Sequence, residues 1–496
     1  YIGIPQRKDS KTTMKQTQCY HGLSARPMLS ALPVANNFLT HILQAAIVAC
    51  SFFMLISCKP TTSDSEQSGT VKLLTLDPGH FHAALVQKEM FPNVDSTVHV
   101  YAPAGPDVEM HLKRIDGFNG RKENPTGWVE EVYTGDDFFE KMISEKDGNV
   151  VVISGNNKKK AEYILKSLQA DINVLADKPM AINNDGFAML KDAFEVAKKK
   201  DLLLYDIMTE RYEITTILQK ELSMMPEIFG TLEKGTPENP AVTKESVHHF
   251  YKYVSGSILA RPPWFMDVSQ QGEGIVDVTT HLVDLVQWEC FPDQVIDYTK
   301  DIQIGSAKRS ATDMTLSQFK AITRLNEFPD YLQKDVVNDS VLRVYGNGEI
   351  NYTLKGAHAK VSVIWNYKAP EGAGDTHYSI MRGTKSNLVI QQGPEQNYVT
   401  ALYIQPVGND PGFEKTLLEE FKKLESKYPG ISLQAARQGW EVIVPQQYRE
   451  SHEAHFSRVA AKFLEYLKNR NMPEWEVPNM IAKYYTTTKA LEVALK

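Results

Sequence analysis

A lysine that directly follows a short apolar segment is the first candidate for chemistry. Lys178 comes after residues 173–177, Asn-Val-Leu-Ala-Asp, and before Pro179. If that segment is a buried parallel strand, Lys178 lies at the edge of the sheet where ligands bind. A partly desolvated lysine there has its pKa lowered toward neutrality and can transfer a proton. The alternative is a surface lysine at a turn set by Pro179.

A second group of polar residues has helical spacing. Asp277, His281, Asp284 and Trp288 are four, three and four residues apart, so they share one face of a helix. A Gly-x-Gly sequence just before them lets the backbone come close to another segment or a ligand. The alternative for Asp277 and His281 is an exposed pair on a helix, and we expect Trp288 in the core.

The segment after the first apolar strand departs from a known phosphate-binding pattern. Dinucleotide folds usually carry Gly-x-Gly-x-x-Gly there, and this chain has Asp77-Pro78-Gly79-His80-Phe81-His82. Only Gly79 matches the pattern, while Asp77 places a carboxylate where a pyrophosphate would lie. Either a nucleotide is held differently, or its binding is weakened or lost.

Histidines offer a metal-site hypothesis that the sequence does not complete. His80 and His82 could help to bind a ligand or a metal, but no third metal ligand is identifiable, so we predict no metal site. His452 and His455 lack the spacing of a helical zinc-protease site and are predicted at the surface.

Elements that would position these residues alternate from residue 71 to residue 205. The predicted strands are 71–76, 97–102, 149–154, 172–176 and 202–205, and the predicted helices are 82–90, 138–144, 159–169 and 185–199. Strands buried on both faces with helices between them predict an α/β domain with a doubly wound parallel sheet. Residues 117–135 are polar and are predicted as a surface excursion.

The pattern changes after residue 206. Helices are predicted at 213–223 and 276–289, and strands at 295–304, 314–324, 350–354, 360–366, 378–383 and 387–391. This order predicts an α+β domain over 206–400 with a mostly antiparallel sheet. Residues 401–496 are predicted as a C-terminal extension that is helical at its end.

The N-terminal residues have the character of an export signal. An apolar run over 40–57 ends in Leu55-Ile56-Ser57-Cys58, which resembles the lipobox of bacterial lipoproteins. This resemblance implies a signal peptide over 1–57, lipidation of Cys58 and a flexible tether over 58–70. The protein would then be exported and lipid-anchored to a bacterial membrane, on the periplasmic or outer-membrane side. A transmembrane anchor or a buried helix is the alternative.

Composition excludes one class of partner and one class of fold. The net charge of −7 argues against nucleic acid, because such partners usually need a basic patch. Cleavage before Cys58 would leave only Cys58 and Cys290, so a disulfide framework is excluded and a packed core must hold the fold.

Three segments resemble the glucose–fructose oxidoreductase/inositol dehydrogenase (Gfo/Idh/MocA) family over roughly residues 71–400. They are residues 150–157, a strand that runs into Asn156 and Asn157; residues 173–181, like the family's Glu-Lys-Pro signature with Asp177 for Glu; and residues 272–284, like its glycine turn and Asp-x-x-x-His helix. The segment from Tyr205 to Tyr212 resembles the opening of the family's second domain.

The resemblance implies a Rossmann-like domain over 71–205 that binds NAD or NADP, tightly in an exported enzyme, and a small carbohydrate or polyol substrate. It implies catalytic roles for Lys178, His281 and Asp277, with His281 as the base because its ordinary pKa is near the working pH. The implied cofactor-binding residues are Gly79, His80, Asn156, Asp177 and Lys178. A homo-oligomer through the open face of the second sheet is also compatible with the family.

Three functions follow from the sequence. The first is hydride transfer between a sugar or polyol and bound NAD(P). The second is a glycoside hydrolase that oxidises and re-reduces its sugar with a recycled NAD. The third is a carbohydrate-binding relative that has lost catalysis, which the altered glycine loop favours.

Overall fold

The computed structural model describes residues 70–254 and 257–496. The predicted signal peptide and Cys58 lie outside the described residues. Within those ranges, no helix is both long and apolar enough to cross a membrane.

The N-terminal domain is a six-stranded parallel sheet with the strand order β3-β2-β1-β4-β5-β6. Its strands are β1 (Leu73–Leu76), β2 (Thr97–Ala102), β3 (Val129–Thr134), β4 (Val150–Ile153), β5 (Asn173–Asp177) and β6 (Leu204–Ile207). Its helices are α1 (His82–Leu85), α2 (Pro106–Asn119), α3 (Phe138–Glu145), α4 (Lys160–Gln169) and α5 (Asn184–Lys200). The predicted doubly wound sheet is confirmed, and its order is that of the Rossmann fold.

Burial explains which strands the sequence revealed. Every residue of β1, β4 and β5 is buried, so these strands read as continuous apolar runs. Strand β3 is at the sheet edge and is largely exposed, with the sequence Val-Glu-Glu-Val-Tyr-Thr. The prediction of a surface excursion over 117–135 was therefore wrong for residues 129–134, because an edge strand need not be apolar.

The second domain is built on a ten-stranded sheet with the order β10-β12-β13-β7-β14-β15-β16-β18-β17, and β11 pairs with β12. Its pairs are antiparallel except β13 with β7, which confirms the predicted α+β architecture. The strands are β7 (Val242–Tyr251), β8 (Tyr253–Val254), β9 (Ser257–Ile258), β10 (Ile302–Thr315), β11 (Val336–Val337), β12 (Val341–Leu354), β13 (Ala357–Lys368), β14 (Thr376–Arg382), β15 (Ser386–Gln391), β16 (Ala401–Pro406), β17 (Ser432–Ala436) and β18 (Gly439–Ile443), with β8 and β9 forming a separate small pair.

The helices of the second half are α6 (Ile214–Ser223), α7 (Val268–Gln271), α8 (Thr279–Cys290), α9 (Leu316–Thr323), α10 (Phe413–Lys427), α11 (His452–Asn469) and α12 (Glu476–Ala494). Helix α9 replaces the strand predicted over 314–324. Thr315 and Gln318 form a capping box at its N-terminus, which satisfies the first free backbone donors and starts a helix.

Residues 401–496 are part of both domains and not a separate extension. Strands β16, β17 and β18 continue the second sheet beyond β15. Phe456, Val459 and Phe463 of helix α11 are buried in the core of the N-terminal domain, whereas Ala490 and Leu491 of α12 join the core of the second. The predicted boundary at residue 400 is therefore corrected, because this tail packs on both cores.

Candidate active site

An ion pair joins the two domains at the predicted site. Lys178 follows β5 and Asp277 precedes α8, and Lys178 Nζ lies 2.6 Å from Asp277 Oδ1. Gln271 Nε2 donates to the other carboxylate oxygen at 3.1 Å. Both members of the pair are at most one-tenth exposed. Residues that are 99 positions apart therefore meet, as the resemblance to the family implied.

The glycine turn before α8 makes this approach achievable. A Cβ at Gly274 would lie 1.7 Å from the backbone oxygen of Gly346, so only glycine fits between the two chain segments. Gly272 has a φ of +94°, which also favours glycine. The predicted close approach of this turn to another segment is confirmed.

His281 lies on α8 beside the ion pair and lines the same cavity as Lys178 and Asp277. Its Nδ1 atom is buried and has no hydrogen-bond partner in the described residues. Burial, and then the charge of Lys178, lower the pKa of His281 to about 3. The imidazole is therefore neutral at neutral pH, which differs from the expectation of a pKa near the working pH.

The cavity has a volume of about 390 Å³ and lies between the domains, a size suited to a small ligand. Its lining is rich in histidine. The histidines are His80, His82, His248, His281, His377 and His452. Such a wall offers ring nitrogens that can accept or donate hydrogen bonds to hydroxyl groups, which suits a polyhydroxylated ligand.

Glu210 and His452 extend the site beyond the predicted residues. His452 Nδ1 lies 3.3 Å from Glu210 Oε1, and both side chains line the cavity. Burial opposes ionisation of Glu210, but the hydrogen bond and charge of His452 hold its pKa well below the ordinary value. The prediction of a surface position holds for the half-exposed His452 but missed this role, and it was wrong for His455, which is 3% exposed, because both outcomes depend on how α11 packs across the domains. Glu210 sits next to Arg211 in the segment that opens the second domain, a signal that could have marked it.

Asp284 and Trp288 take no part in the cavity. Asp284 is buried and accepts hydrogen bonds from Arg211 and Lys483 at 2.7–2.8 Å. Trp288 is only partly buried, and Lys220 Nζ lies 4.0 Å from its ring centre. The residues predicted to share one helical face therefore have different surroundings: His281 lines the cavity, Asp284 belongs to the ion network, and Trp288 meets the expected core position only in part.

Asp177 is buried beneath the cavity and turns toward two histidines. Its Oδ2 lies 2.9 Å from His82 Nδ1 and 3.6 Å from His80 Nδ1. Ser154 Oγ also donates to this oxygen at 3.0 Å. Desolvation is outweighed by the charge and hydrogen bond of His82, which keep the pKa of Asp177 far below its ordinary value.

Two further predicted cofactor residues have partners within the protein. Asn156 Nδ2 donates to Gln270 Oε1 at 2.6 Å, and this bond helps to join the domains. Gly79 lies under the ring of Trp264, whose Nε1 donates to Asp107 Oδ2 at 2.7 Å. Of the predicted residues, the structure brings Lys178, Asp277, His281 and His80 to one cavity.

Comparison with known proteins places this site in a family. Residues 118–206 match the family described as "Oxidoreductase family, NAD-binding Rossmann fold", and residues 218–495 match the "Putative oxidoreductase C terminal domain". A crystal structure of a "putative oxidoreductase" from Parabacteroides merdae ATCC 43184 is 58% identical, with a TM-score of 0.85 over 86% of this chain and 98% of that chain. The chain belongs to the Gfo/Idh/MocA oxidoreductase family.

More distant Gfo/Idh/MocA-like structures share the fold. Levoglucosan dehydrogenase in complex with NADH and L-sorbose is 14% identical, with a TM-score of 0.55 over 86% of this chain and 97% of that one. A "putative oxidoreductase" from Thermotoga maritima is 13% identical, with a TM-score of 0.54 over 86% and 98%. None of the curated proteins matches this chain.

In the NAD-binding Rossmann domain of this Gfo/Idh/MocA protein, the cavity beside Lys178 is open to a ligand, whereas the glycine loop is covered by side chains. The cavity beside Lys178 and His281 has room for a nicotinamide. At the glycine loop, a Cβ on Gly79 would lie 2.9 Å from Asp107 and 3.0 Å from Trp264, so these two side chains pack against the loop at which Rossmann folds ordinarily bind a pyrophosphate. The backbone N–H groups of Gly79 and His80 already donate to carbonyl oxygens. A pyrophosphate at this loop therefore requires Trp264 and Asp107 to move aside.

Proposed function

We propose that the protein is an oxidoreductase that transfers hydride between a hydroxyl-bearing carbon of a sugar or polyol and NAD(P). The observation that carries this proposal is the meeting of Lys178, Asp277 and His281 on one cavity between the domains. A bound nicotinamide would supply the hydride acceptor or donor.

The chain's own residues would hold and move the proton. Lys178 Nζ donates to the substrate oxygen, and the 2.6 Å contact with Asp277 keeps the ammonium in place. In the direction of reduction, Lys178 delivers a proton to the carbonyl oxygen as it becomes a hydroxyl. Neutral His281 accepts a hydrogen bond from a substrate hydroxyl, and its low pKa means that it holds an added proton only weakly.

The experiment has two parts, cofactor content and turnover. Small molecules released from denatured, purified protein are identified by mass spectrometry, and nicotinamide absorbance is followed with a panel of sugars and polyols. We expect a bound or titratable dinucleotide, and Lys178→Met should lower kcat by about 10²–10⁴-fold. Lys198→Met, at an exposed position near the end of α5, is the matched control. Absence of any NAD(H) or NADP(H), both extracted and titrated, would overturn the proposal.

The covered loop favours a second candidate, a carbohydrate-binding protein without redox chemistry. In this candidate, Trp264 and Asp107, which are joined by a 2.7 Å hydrogen bond and pack against Gly79, would keep the loop closed to a pyrophosphate. Sugar binding measured by calorimetry that persists in a Lys178→Met, His281→Gln double variant, with no turnover in the wild type, would establish it. A NAD-recycling glycoside hydrolase would instead release reducing sugar without added cofactor.

We propose that the protein is exported and anchored by a lipid on Cys58. The lipobox-like sequence Leu55-Ile56-Ser57-Cys58 supports this location. Metabolic labelling with a radioactive fatty acid should mark the wild type and not Cys58→Ala. Label in both proteins, or in neither, would exclude a lipid on this cysteine.

We propose that two copies assemble through the outer face of the second sheet. Strand β10 is at the sheet edge and is exposed along much of its 14 residues. Light scattering of the purified protein should give at least twice the mass of one chain, and a monomer mass would exclude this assembly.

A further inference from the structure

His80, His82 and Asp177 form a compact cluster that hydride transfer does not require. Their ligand atoms all lie within 4.8 Å of one another. The two histidines come from the loop and first turn after β1, and Asp177 is the last residue of β5. The ends of β1 and β5, which lie on either side of β4 in the parallel sheet, therefore bring them together, and Asp177 supplies the third ligand that the sequence alone did not identify.

From this geometry, we propose that the cluster binds a divalent transition-metal ion, with Zn²⁺ as its reference ligand. Two imidazoles and one carboxylate are a ligand set that such ions use when a further position stays open for water or substrate. Tetrahedral ligation at about 2.0–2.1 Å separates ligand atoms by roughly 3.3 Å. The distances from Asp177 Oδ2 to the histidine Nδ1 atoms, 2.9 and 3.6 Å, bracket that separation.

An unpaired buried oxygen is a second, independent sign of a missing ligand. Asp177 is 3% exposed, yet its Oδ1 has no hydrogen-bond partner in the described residues. A buried carboxylate oxygen without a partner is costly, and a metal ion that the carboxylate binds through both oxygens, Oδ2 toward the histidines and Oδ1 beside it, would satisfy it. A simple His82–Asp177 hydrogen bond does not account for this oxygen, and His80 Nδ1 has only a long hydrogen bond of 3.5 Å from the His82 backbone N–H besides its approach to Asp177.

The surroundings of the cluster are those of a supported metal site. Ser154 Oγ donates to Asp177 Oδ2 and Lys160 Nζ donates to the Asp177 backbone oxygen at 3.0 Å, so both orient this residue.

The rings of His80 and His82 line the cavity that also holds Lys178 and His281. A metal here would face the substrate and polarise one of its oxygens. The buried ammonium of Lys160 opposes a nearby cation, so its removal should tighten metal binding.

Metal content tests the proposal without reference to activity or to NAD. The full chain is stripped with a chelator, and Zn²⁺ binding is measured by calorimetry and by elemental analysis after dialysis. We expect one Zn²⁺ per chain in the wild type. His80→Ala and His82→Ala should each weaken binding by more than about 100-fold, since even indirect ligand supports are worth 10–100-fold. His452→Ala, a cavity histidine outside the cluster, should bind as the wild type does, and Lys160→Met should bind more tightly.

The proposal is overturned if the wild type takes up no Zn²⁺, Fe²⁺ or Mn²⁺, or if uptake is unchanged in both His80→Ala and His82→Ala. Circular dichroism checks that the variants fold. If they do not fold, the visible spectrum of the Co²⁺-loaded wild type decides. Tetrahedral nitrogen–oxygen ligation supports the site, and any other spectrum excludes it. A protein that binds metal but no dinucleotide would retain this site and lose the proposed redox function.

Discussion

Two clusters of buried polar groups meet at helix α8, one around His281 and one around Asp284, and they differ in how completely they are paired. On one side, Arg211, Asp284, Glu476, Lys483 and Asp206 form a network with contacts of 2.7–3.1 Å. On the other side, the cavity cluster leaves His281 Nδ1 and Asp177 Oδ1 without partners in the described residues. His281 and Asp284 are only three residues apart, so one helix serves both.

The difference separates structural from functional charge. The paired network joins β6, α8 and α12, so it fixes the two domains and the C-terminal helix relative to one another. His281 lines the cavity and Asp177 lies beneath it, so a group that binds in or below the cavity can satisfy the unpaired atoms. The comparison therefore predicts that changes in the network affect stability, whereas changes in the cavity cluster affect ligands and turnover.

The largest stability effect should come from the paired side. Asp284→Ala removes the shared partner of Arg211 and Lys483 and leaves buried positive charge incompletely paired. We expect the free energy of unfolding to fall by about 3–5 kcal/mol in urea denaturation. His281→Gln, one turn earlier on α8, should lower it by less than half as much at neutral pH. Equal losses in the two variants would contradict the division.

The free energy of unfolding should fall at acid pH, because the cavity histidine His281 stays neutral in the folded protein. The folded-state pKa of His281 is about 3, below the unfolded value near 6.5, so the unfolded chain binds more protons between these values. Stability that this histidine contributes above pH 6.5 is therefore lost as the pH falls below it. Between pH 7.5 and 5.5 we expect its share to be about 1.4 kcal/mol.

The pH dependence can be assigned by a variant. His281→Gln should flatten the fall in unfolding free energy between pH 7.5 and 5.5 by that amount. His82, with a pKa lowered to about 4 by burial, remains in the variant and continues to contribute in the same direction. An unchanged slope in His281→Gln would show that His281 is protonated in the folded protein over this range.

Removal of one carboxylate charge near the glycine loop should change the free energy of nucleotide binding by no more than the pH-dependent change in stability described above. Burial, and then the charge of Asp107, raise the pKa of Asp77 to about 6, which shows that two acids crowd this loop. Asp107→Asn should tighten NADH binding about tenfold, equivalent to about 1.4 kcal/mol, in a fluorescence titration. Asp116→Asn, exposed on the same helix α2, is the control. Unchanged affinity in Asp107→Asn would place the pyrophosphate elsewhere.

The sequence predicted the frame and part of the site for identifiable reasons. Buried strands such as β4 read as apolar runs, and the resemblance to the family brought Lys178 and Asp277 together. Strand β3 was missed because an exposed edge strand carries polar residues. The short strands β17 and β18 were missed for the same reason, since most of their residues are exposed or only partly buried.

The unpredicted part of the site depends on contacts between distant segments. Asp177 was assigned to a cofactor, because its place in the signature is visible in the sequence and its turn toward His80 and His82 is not. His452 looked like a surface residue, and it is half-exposed, yet helix α11 carries it to the cavity. Periodicity reports which face of an element is buried, but not which other element covers that face.

The smallest change in unfolding free energy should come from Trp288, near the C-terminal end of α8. It tests whether residues of this helix beyond Asp284 contribute to the site or only to packing. Trp288 is partly buried and interacts with Lys220, a cation–π contact worth about 0.5–1 kcal/mol at an exposed site. Trp288→Leu keeps an apolar side chain and loses this contact, so the unfolding free energy should fall by about that amount, with turnover unchanged. Lys220→Met should give a similar loss, and the double variant should lose little more than either alone, because both changes remove one interaction. Additive losses would show that Trp288 contributes through packing against its neighbours and not through the lysine.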